Sequence, residues 1–439
     1  MKPKVVIIQP KSFHTWLCLS AAYLVSYAKA HCEMREILFF SQFYDDDVTI
    51  IEGCRGADII GITATSPQWP HARTLGRMLR HQNPQAWIVA GGFHPTNCAD
   101  DVLREGWVDA VVKGEGEASF ADIVNGCRDR IVERPQIQDL DSIPFPDRDT
   151  CRQVDQFKRT MKEWGTRYGD MFTNRGCPYR CKFCASRSVW GTKQRIRSPQ
   201  NLLDEMTILR DRWHAEFVGF ADDEFGIYRK ETVEFLEAKA KWDAEYPWGC
   251  NVVASTVITW EGNVSDYYLR KFKEAGCKTI WIGIESGSPT IMASTKKPIT
   301  PEKVRTCFKI ARDVGLERRA YMLLGMPGET DETIAESEAF VDEIKPDIIG
   351  WTVLCPYPGS DFYEPEKHRD LPWDSMDEYG NSYWETKAMS NERLRWHQRR
   401  LTKKYAEKTT WHQQNAEVVN PYLEMQTIDV KRNPGRSGI

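Results

Sequence analysis

The sequence predicts an α/β protein: a doubly wound parallel sheet, then a partial (β/α)6 barrel, then a small mixed C-terminal region. Three observations predict it. Short apolar runs alternate with segments of helical period in two separate series. A Pro/Asp-rich stretch divides the series, and 439 residues suffice for about two or three domains.

The first series has strand-like runs at Val5–Ile8, Glu36–Phe40, Asp58–Thr63, Ala86–Ala90 and Asp109–Val112. Helical spacing falls at Leu17–Ala30, Ala72–His81, Ala99–Glu105 and Ala118–Cys127. Five strands alternating with helices imply a parallel sheet in flavodoxin-like, Rossmann-type order over residues 1–133, with ligands beyond the carboxyl ends of the strands. Those ends are Gln9–Phe13, Ala64–Trp69, Gly91–Thr96 and Gly114–Glu117.

The linker is placed at 134–168, opening with a Pro/Asp-rich run from Arg134 to Asp147 that has no helical or strand period. The second series, 169–355, has strands at Asp170–Asn174, Phe217–Ala221, Gly249–Ser255, Thr279–Ile284, Arg319–Leu324 and Asp347–Val353. Helices fit Leu202–Trp213, Lys230–Trp242, Val264–Ala275, Pro301–Val314 and Asp331–Ile344. Six units suit a partly closed barrel better than an eight-unit one. The tail, 356–439, is rich in Trp, Tyr, Pro and charge, with a basic helix at Asn391–Thr409 and a frayed end at Lys431–Ile439.

Composition narrows the function classes. A net charge of -4 gives no reason to expect nucleic acid as partner. Thirteen cysteines, an odd number without a secretory signal, argue against a disulfide framework and for a reducing, cytoplasmic setting. The longest apolar runs are far too short to span a membrane.

The chemistry-bearing motif is Arg175-Gly176-Cys177-Pro178-Tyr179-Arg180-Cys181-Lys182-Phe183-Cys184, just after an expected strand. Thiolates are soft ligands suited to iron–sulfur clusters, and three on one tight loop can hold three irons of a [4Fe–4S] cube while leaving the fourth open. Structural zinc and unrelated buried thiols are the alternatives; zinc would need a fourth ligand, and no nearby Cys or His makes a finger-like spacing.

From Met171 to about Pro358 the chain resembles the radical S-adenosylmethionine (SAM) superfamily. The resemblance implies that Cys177, Cys181 and Cys184 hold the cluster, that its open iron chelates SAM, and that reductive cleavage gives a 5′-deoxyadenosyl radical. An external low-potential electron donor is implied as partner. Phe183 takes the position whose backbone lies near the adenine. Three strand ends also fit: Phe220–Phe225, Ile282–Ser288 and Leu324–Thr330. Asp222 and Glu285 are acceptors suited to the SAM ammonium or ribose, Ser286 allows close backbone approach, and Gly325 can pass the adenine without a clash. Read singly, each is as well explained as a helix cap or a turn.

The N-terminal segments Asp58–Thr65, Val89–Thr96 and Val112–Glu117 resemble the cobalamin-binding domain fused to many radical SAM proteins, and Ile143–Arg148 is similar to its connector. Gly91, Gly92, Phe93, Gly114, Glu115 and Gly116 then stand at the corrin and nucleotide tail, with hydroxyls from Thr63, Thr65 and Ser66. The Asp-x-His-x-x-Gly signature that ligates cobalt is absent. His94 could approach the cofactor, but reads better as a structural histidine; Gln68 and Trp69 are candidates for cobalt's lower face, against an ordinary turn.

The combined resemblance implies a cobalamin-dependent radical SAM C-methyltransferase, acting on an unactivated carbon of a protein side chain, such as the glutamine of methyl-coenzyme M reductase, or of a small natural product. Rival readings are a cyclase or rearrangement enzyme and a non-catalytic cobalamin sensor. A methylthiotransferase is disfavoured, because Cys18, Cys32, Cys54, Cys98 and Cys127 lie off the strand ends. Tyr357, Tyr363, Trp373, Tyr383 and Trp384 are candidate substrate walls.

Overall fold

A computed structural model describes residues 2–11, 17–258 and 262–409. Part of the Gln9–Phe13 strand end and the Lys431–Ile439 tail lie outside the described residues.

The first sheet contains β1 (Lys4–Gln9), β2 (Glu36–Ser41), β3 (Ile59–Thr63), β4 (Trp87–Gly91), β5 (Ala110–Val112) and β6 (Ile131–Val132). All pair in parallel, in the order β2-β1-β3-β4-β5-β6, so the first five strands have the expected order. The Val5–Ile8 run is continuous rather than alternating because helices cover both faces of a central parallel strand. Val5 and Ile7 pack with Leu19–His31 and Glu117–Val124, while Val6 and Ile8 pack with Trp69–Gln82. Two short helices, Asp47–Gly53 and Phe93–Asn97, were not legible, being too brief to show a period.

Within the expected linker, the helix Gln153–Trp164 covers the start of the second sheet. Its buried residues are Gln153, Gln156, Phe157 and Thr160; Val154, Phe157, Met161 and Trp164 recur at helical spacing, so the period is in the sequence although the segment reads as linker.

The second sheet comprises β7 (Tyr168–Met171), β10 (Phe217–Phe220), β11 (Trp248–Asn251), β12 (Cys277–Glu285), β13 (Glu317–Leu324) and β14 (Ile348–Val353). They pair in parallel in chain order, each neighbour beside the next, as an open barrel of six strands requires. Between β7 and β10 sits a small antiparallel pair, β8 (Asn174–Arg175) and β9 (Arg195–Ile196). Side-chain caps start the flanking helices: Ser198 for Pro199–Thr207, Thr300 for Pro301–Val314, and Thr330, in a capping box with Thr333, for Asp331–Ile344. The third strand ends at Asn251, earlier than expected, and Ala254–Val257 forms a 3-10 turn. In the tail, Asn391–Lys404 packs on β14, Gln398 Nε2 donating to the Trp351 carbonyl at 3.0 Å. Among the described residues, no helix is long and apolar enough to cross a membrane.

Candidate cofactor and active site

The β8–β9 hairpin carries the cysteine loop. Gly176 starts it with φ +94°, a left-handed conformation that L side chains rarely adopt. Cys177 N–H donates to the Gly191 carbonyl at 3.3 Å, and Cys184 N–H to the Cys181 carbonyl at 3.2 Å. Burial pushes the Cys177 thiol up to about 12, that of Cys181 up to about 11, and that of Cys184 upward. As free thiols they are therefore neutral, and a metal must displace their protons. Among the described residues, no three His, Cys, Asp or Glu side chains converge tightly enough for a single ion. A cube takes each thiolate on a separate iron, so the loop's donor set fits it.

The expected SAM residues gather around the carboxyl ends of β10, β12 and β13. Phe183 packs against the cluster of Ile291, Leu323, Met326 and Leu354, so its segment and the Gly325–Met326 turn are brought together. Gly325 has φ +89°, and the Trp384 indole N–H donates to its carbonyl at 2.7 Å. Ser286 Oγ meets Ser337 Oγ at 3.0 Å and receives the Ser288 N–H at 3.2 Å, tying the turn to a helix. Glu285, at φ +68°, ends β12 beside a break in the register with β13, and its carboxylate accepts from Lys297 Nζ at 2.6 Å.

Asp222 departs from the expectation of a free acceptor. Its carboxylate is buried and takes the N–H groups of Thr173 at 2.7 Å and Asn174 at 3.1 Å, together with the Thr173 hydroxyl. It holds the root of the cysteine hairpin; burial lifts its carboxyl to about 7.

In the N-terminal domain, Thr63, Thr65, Gln68, Gly91, Gly92, Phe93, Gly114, Glu115 and Gly116 all border one cavity of about 870 Å³. Ser66, Trp69 and His94 do not border it, at odds with the cofactor role expected of Ser66 and Trp69 but in keeping with a structural His94. Trp69 lies in the core, stacked on His94 at 4.9 Å and on Trp107 at 5.6 Å, its indole N–H on Glu105 at 3.0 Å. The apolar periodicity of its helix turns it inward. His94 Nδ1 meets Ser66 Oγ at 3.1 Å, and burial with Arg73 nearby holds the imidazole down to about 3, hence neutral. Gln68 faces the cavity, but its amide is engaged: Oε1 receives Thr65 N–H at 2.9 Å, and Nε2 donates to the Pro10 carbonyl at 3.0 Å. Gly92, at φ +95°, allows β4 to pass β3, since a Cβ there would stand 2.8 Å from the Ala64 carbonyl oxygen.

The cavity extends in two directions. One arm enters the first domain between β1, β3 and the helices Leu19–His31 and Glu117–Val124, bordered by Ile7, Leu24, Gly61 and Phe120. That apolar slot beside glycine-lined strand ends suits a corrin with a nucleotide tail. The other arm passes Phe172, Arg175 and Trp190 into the barrel, reaching Ala221 and Asn251 at strand ends and Arg319 and Tyr321 on β13. The cysteines and the SAM turns do not border it, although Asn251 Nδ2 bonds the Asp222 carbonyl at 3.0 Å. Of the tail, Tyr379 borders the cavity, whereas Tyr357, Tyr363, Trp373, Tyr383 and Trp384 do not. Trp373 instead stacks on Tyr357 and lies tilted against Tyr363, and Tyr363 reaches Cys98 of the first domain.

A buried ion-pair network joins the domains at the cavity wall. Glu115 accepts from Arg175 at 3.1 Å and from Arg195 at 3.0 Å, and Glu117 from Arg175 at 2.6 Å. The Arg175 guanidinium also lies 5.0 Å from the Tyr23 ring and 5.2 Å from that of Trp190. Glu115 thus ties the interface together as well as bordering the cavity. Asp170, Phe172, Arg175, Trp190 and Arg319 escaped sequence reasoning, because their significance lies in pairings between distant segments.

Comparison with known proteins matches residues 171–341 to the radical SAM superfamily and residues 16–124 to the B12 binding domain. An uncharacterized methyltransferase of Pyrococcus horikoshii is 30% identical over 368 residues, 79% of this chain and 77% of that protein. The anaerobic magnesium-protoporphyrin IX monomethyl ester cyclase of Rubrivivax gelatinosus is 26% identical over 377 residues, 80% of this chain and 66% of that one. Among solved structures, the radical SAM methyltransferase TsrM of Kitasatospora setae, with cobalamin and a [4Fe–4S] cluster bound, has TM-score 0.67 at 16% identity, covering 82% of this chain and 74% of that one. The cobalamin-dependent radical SAM enzyme OxsB has TM-score 0.65 at 16% identity, covering 92% of this chain and 62% of its own. At such identities the structures establish a shared fold, while the two domain matches and the Pyrococcus relative establish kinship: this chain belongs to the cobalamin-dependent radical SAM superfamily of enzymes, whose cofactors are a [4Fe–4S] cluster, SAM and cobalamin.

Proposed function

We propose that this enzyme is a C-methyltransferase that moves a methyl group carried by cobalamin to an unactivated carbon of a small molecule. The observation that supports this most is the single cavity running from the glycine-lined ends of β3, β4 and β5 into the barrel. Bound together, the cofactors supply a methyl donor and a hydrogen-abstracting radical. The chain's own residues bind, orient and exclude water. Cys177, Cys181 and Cys184 ligate the cluster; Phe183, Glu285, Ser286 and Gly325 shape the SAM site, with Asp222 supporting its hairpin. Thr63, Thr65, Gln68, Gly91, Gly92, Phe93, Gly114 and Gly116 border the corrin and its tail. Trp190 and Phe172 wall the passage to the substrate.

The domains we assign are 1–133 for cobalamin, 134–168 as linker, 169–355 for the barrel and 356–439 as a cover. Thirteen free cysteines suit a reducing cytoplasm, and an external low-potential donor must reduce the cluster. A cavity that reaches deep into the barrel favours a small molecule over a protein glutamine. A cyclase-type outcome is the second reading, favoured by the Rubrivivax relative.

The test is anaerobic reconstitution with iron, sulfide and cobalamin, followed by a small-molecule screen with methyl-labelled SAM. Label in the product, with 5′-deoxyadenosine and S-adenosylhomocysteine, is expected. Formation of 5′-deoxyadenosine with an unlabelled, rearranged product would instead establish the second reading. Replacing Cys181→Ala should abolish the cluster's visible absorbance; a cluster persisting intact would contradict the ligand assignment.

A further inference from the structure

We infer that the inner floor of the barrel is an anion-binding subsite, in which Arg319, Trp281 and Thr279 hold a carboxylate or phosphonate group of the substrate. The inference rests on the cavity being the substrate site and adds the class of molecule it takes.

Thr279 and Trp281 stand two residues apart on one face of β12, and Trp281 pairs in register with Arg319 of β13. All three border the cavity, Thr279 and Arg319 near the amino-terminal ends of their strands and Trp281 at the middle of β12, away from the strand ends that gather the cofactor segments. Each carries a buried polar atom with no hydrogen-bond partner in the protein: Thr279 Oγ1, Trp281 Nε1 and Arg319 Nε. Native proteins rarely leave such atoms unpaired, and three together call for a ligand with several acceptors.

Charge points the same way. The cavity is bordered by two cationic side chains, Arg175 and Arg319. Arg175 is spent on Glu115 and Glu117. Among the described residues, no carboxylate lies within ion-pair distance of Arg319; the phenols of Tyr321 and Tyr168 are its neighbours, and its guanidinium lies 5.8 Å from the Trp281 ring. Neither remaining bordering carboxylate pairs with it. Glu317, two residues before it on β13, is exposed and acts on it only through space, and Asp170, two residues after Tyr168 on β7, is buried, which lifts its carboxyl to about 7. A guanidinium beside an indole N–H and a hydroxyl presents the donor fork that carboxylates and phosphonates accept. An anion anchored there would leave the rest of the substrate pointing towards the cofactor end of the barrel.

The experiment uses the reconstituted full chain and ligand-observed NMR titration with three probes: naphthalene-2-carboxylate, phenylphosphonate and the neutral 2-naphthamide. Saturable binding of an anion, at least about tenfold tighter than the amide, is expected, and the tighter of the two anions identifies the source class. Arg319→Gln should erase that preference while amide binding persists, and Arg319→Lys should restore part of it; near-UV circular dichroism verifies that both fold. Equal binding of amide and anions, undiminished anion binding by Arg319→Gln, or no saturable anion binding would each overturn the inference. Methyl transfer to a neutral substrate alongside such a failure would leave the proposed reaction standing.

Discussion

At Gly176 the chain turns out of β8 with φ +94°, and a Cβ placed there would collide with the Lys193 carbonyl oxygen of the opposite side of the hairpin. Gly176→Ala therefore combines left-handed strain with a backbone clash, a loss of about 2 kcal/mol or more. Its expected signature is poor cluster incorporation, read as iron and sulfide per chain after reconstitution. Incorporation equal to that of the native chain would show that the loop tolerates another route. Glu329 provides a titratable case. It is buried, its carboxylate takes the Gly325 N–H, and burial lifts its carboxyl to about 7. A carboxyl raised in the folded state contributes stability that is complete below its unfolded value near 4.5 and lost as pH rises through about 7. That contribution is at most about 3 kcal/mol. Glu329→Gln keeps an acceptor for Gly325 without titrating, so its unfolding midpoint should fall less than the native one between pH 5 and 8. Parallel pH profiles would refute this account.

Among the elements, the Gly114–Glu117 turn and the β8–β9 hairpin meet through Arg175, Arg195, Glu115 and Glu117, all nearly inaccessible to solvent. Removing one partner from such a network leaves a charge buried without compensation, at a cost of about 3–5 kcal/mol. Glu115→Ala, which strands the Arg195 guanidinium and leaves Arg175 on Glu117 alone, should destabilise the chain by that order and expose Trp190, which denaturant titration followed by protease sensitivity can measure. Combining it with Arg195→Ala should recover part of the loss, since neighbours in one network are not additive. These residues also explain what the sequence could disclose. Strands, helices and the cysteine loop were legible because each is encoded locally, by apolar period, cap or spacing. Glu115 looked like a cofactor residue because its Gly-Glu-Gly turn is local, whereas its partners lie about sixty and eighty positions away. Trp69 misled because its place beside the turn outweighed the apolar period of its own helix, which turns it inward onto His94 and Trp107. The helix Gln153–Trp164 stayed hidden although Val154, Phe157, Met161 and Trp164 recur at helical spacing, because it follows a Pro/Asp-rich run that reads as linker.

For the whole molecule, the decisive property is that one cavity is bounded by both domains, so a ligand reaching from one arm towards the other contacts both. Occupancy of the first-domain slot by cobalamin should therefore stabilise the barrel too, rather than its own domain alone. Ligand present at a hundred times its dissociation constant adds about 2.7 kcal/mol to whatever unit must be folded to bind it. If the two domains form one cooperative unit through the Glu115–Arg175 contact, the expected result is a single calorimetric transition that moves upward with cobalamin. Hydrogen exchange should slow in step at Gly61–Thr63 and at Tyr168–Phe172, on opposite sides of the cavity. In Glu115→Ala the two responses should separate, with protection retained in the first domain and lost at Tyr168–Phe172. Protection confined to the first domain in the native chain would mean that the cavity's two arms bind independently, and that the substrate reaches the cofactors without any closure of one domain on the other.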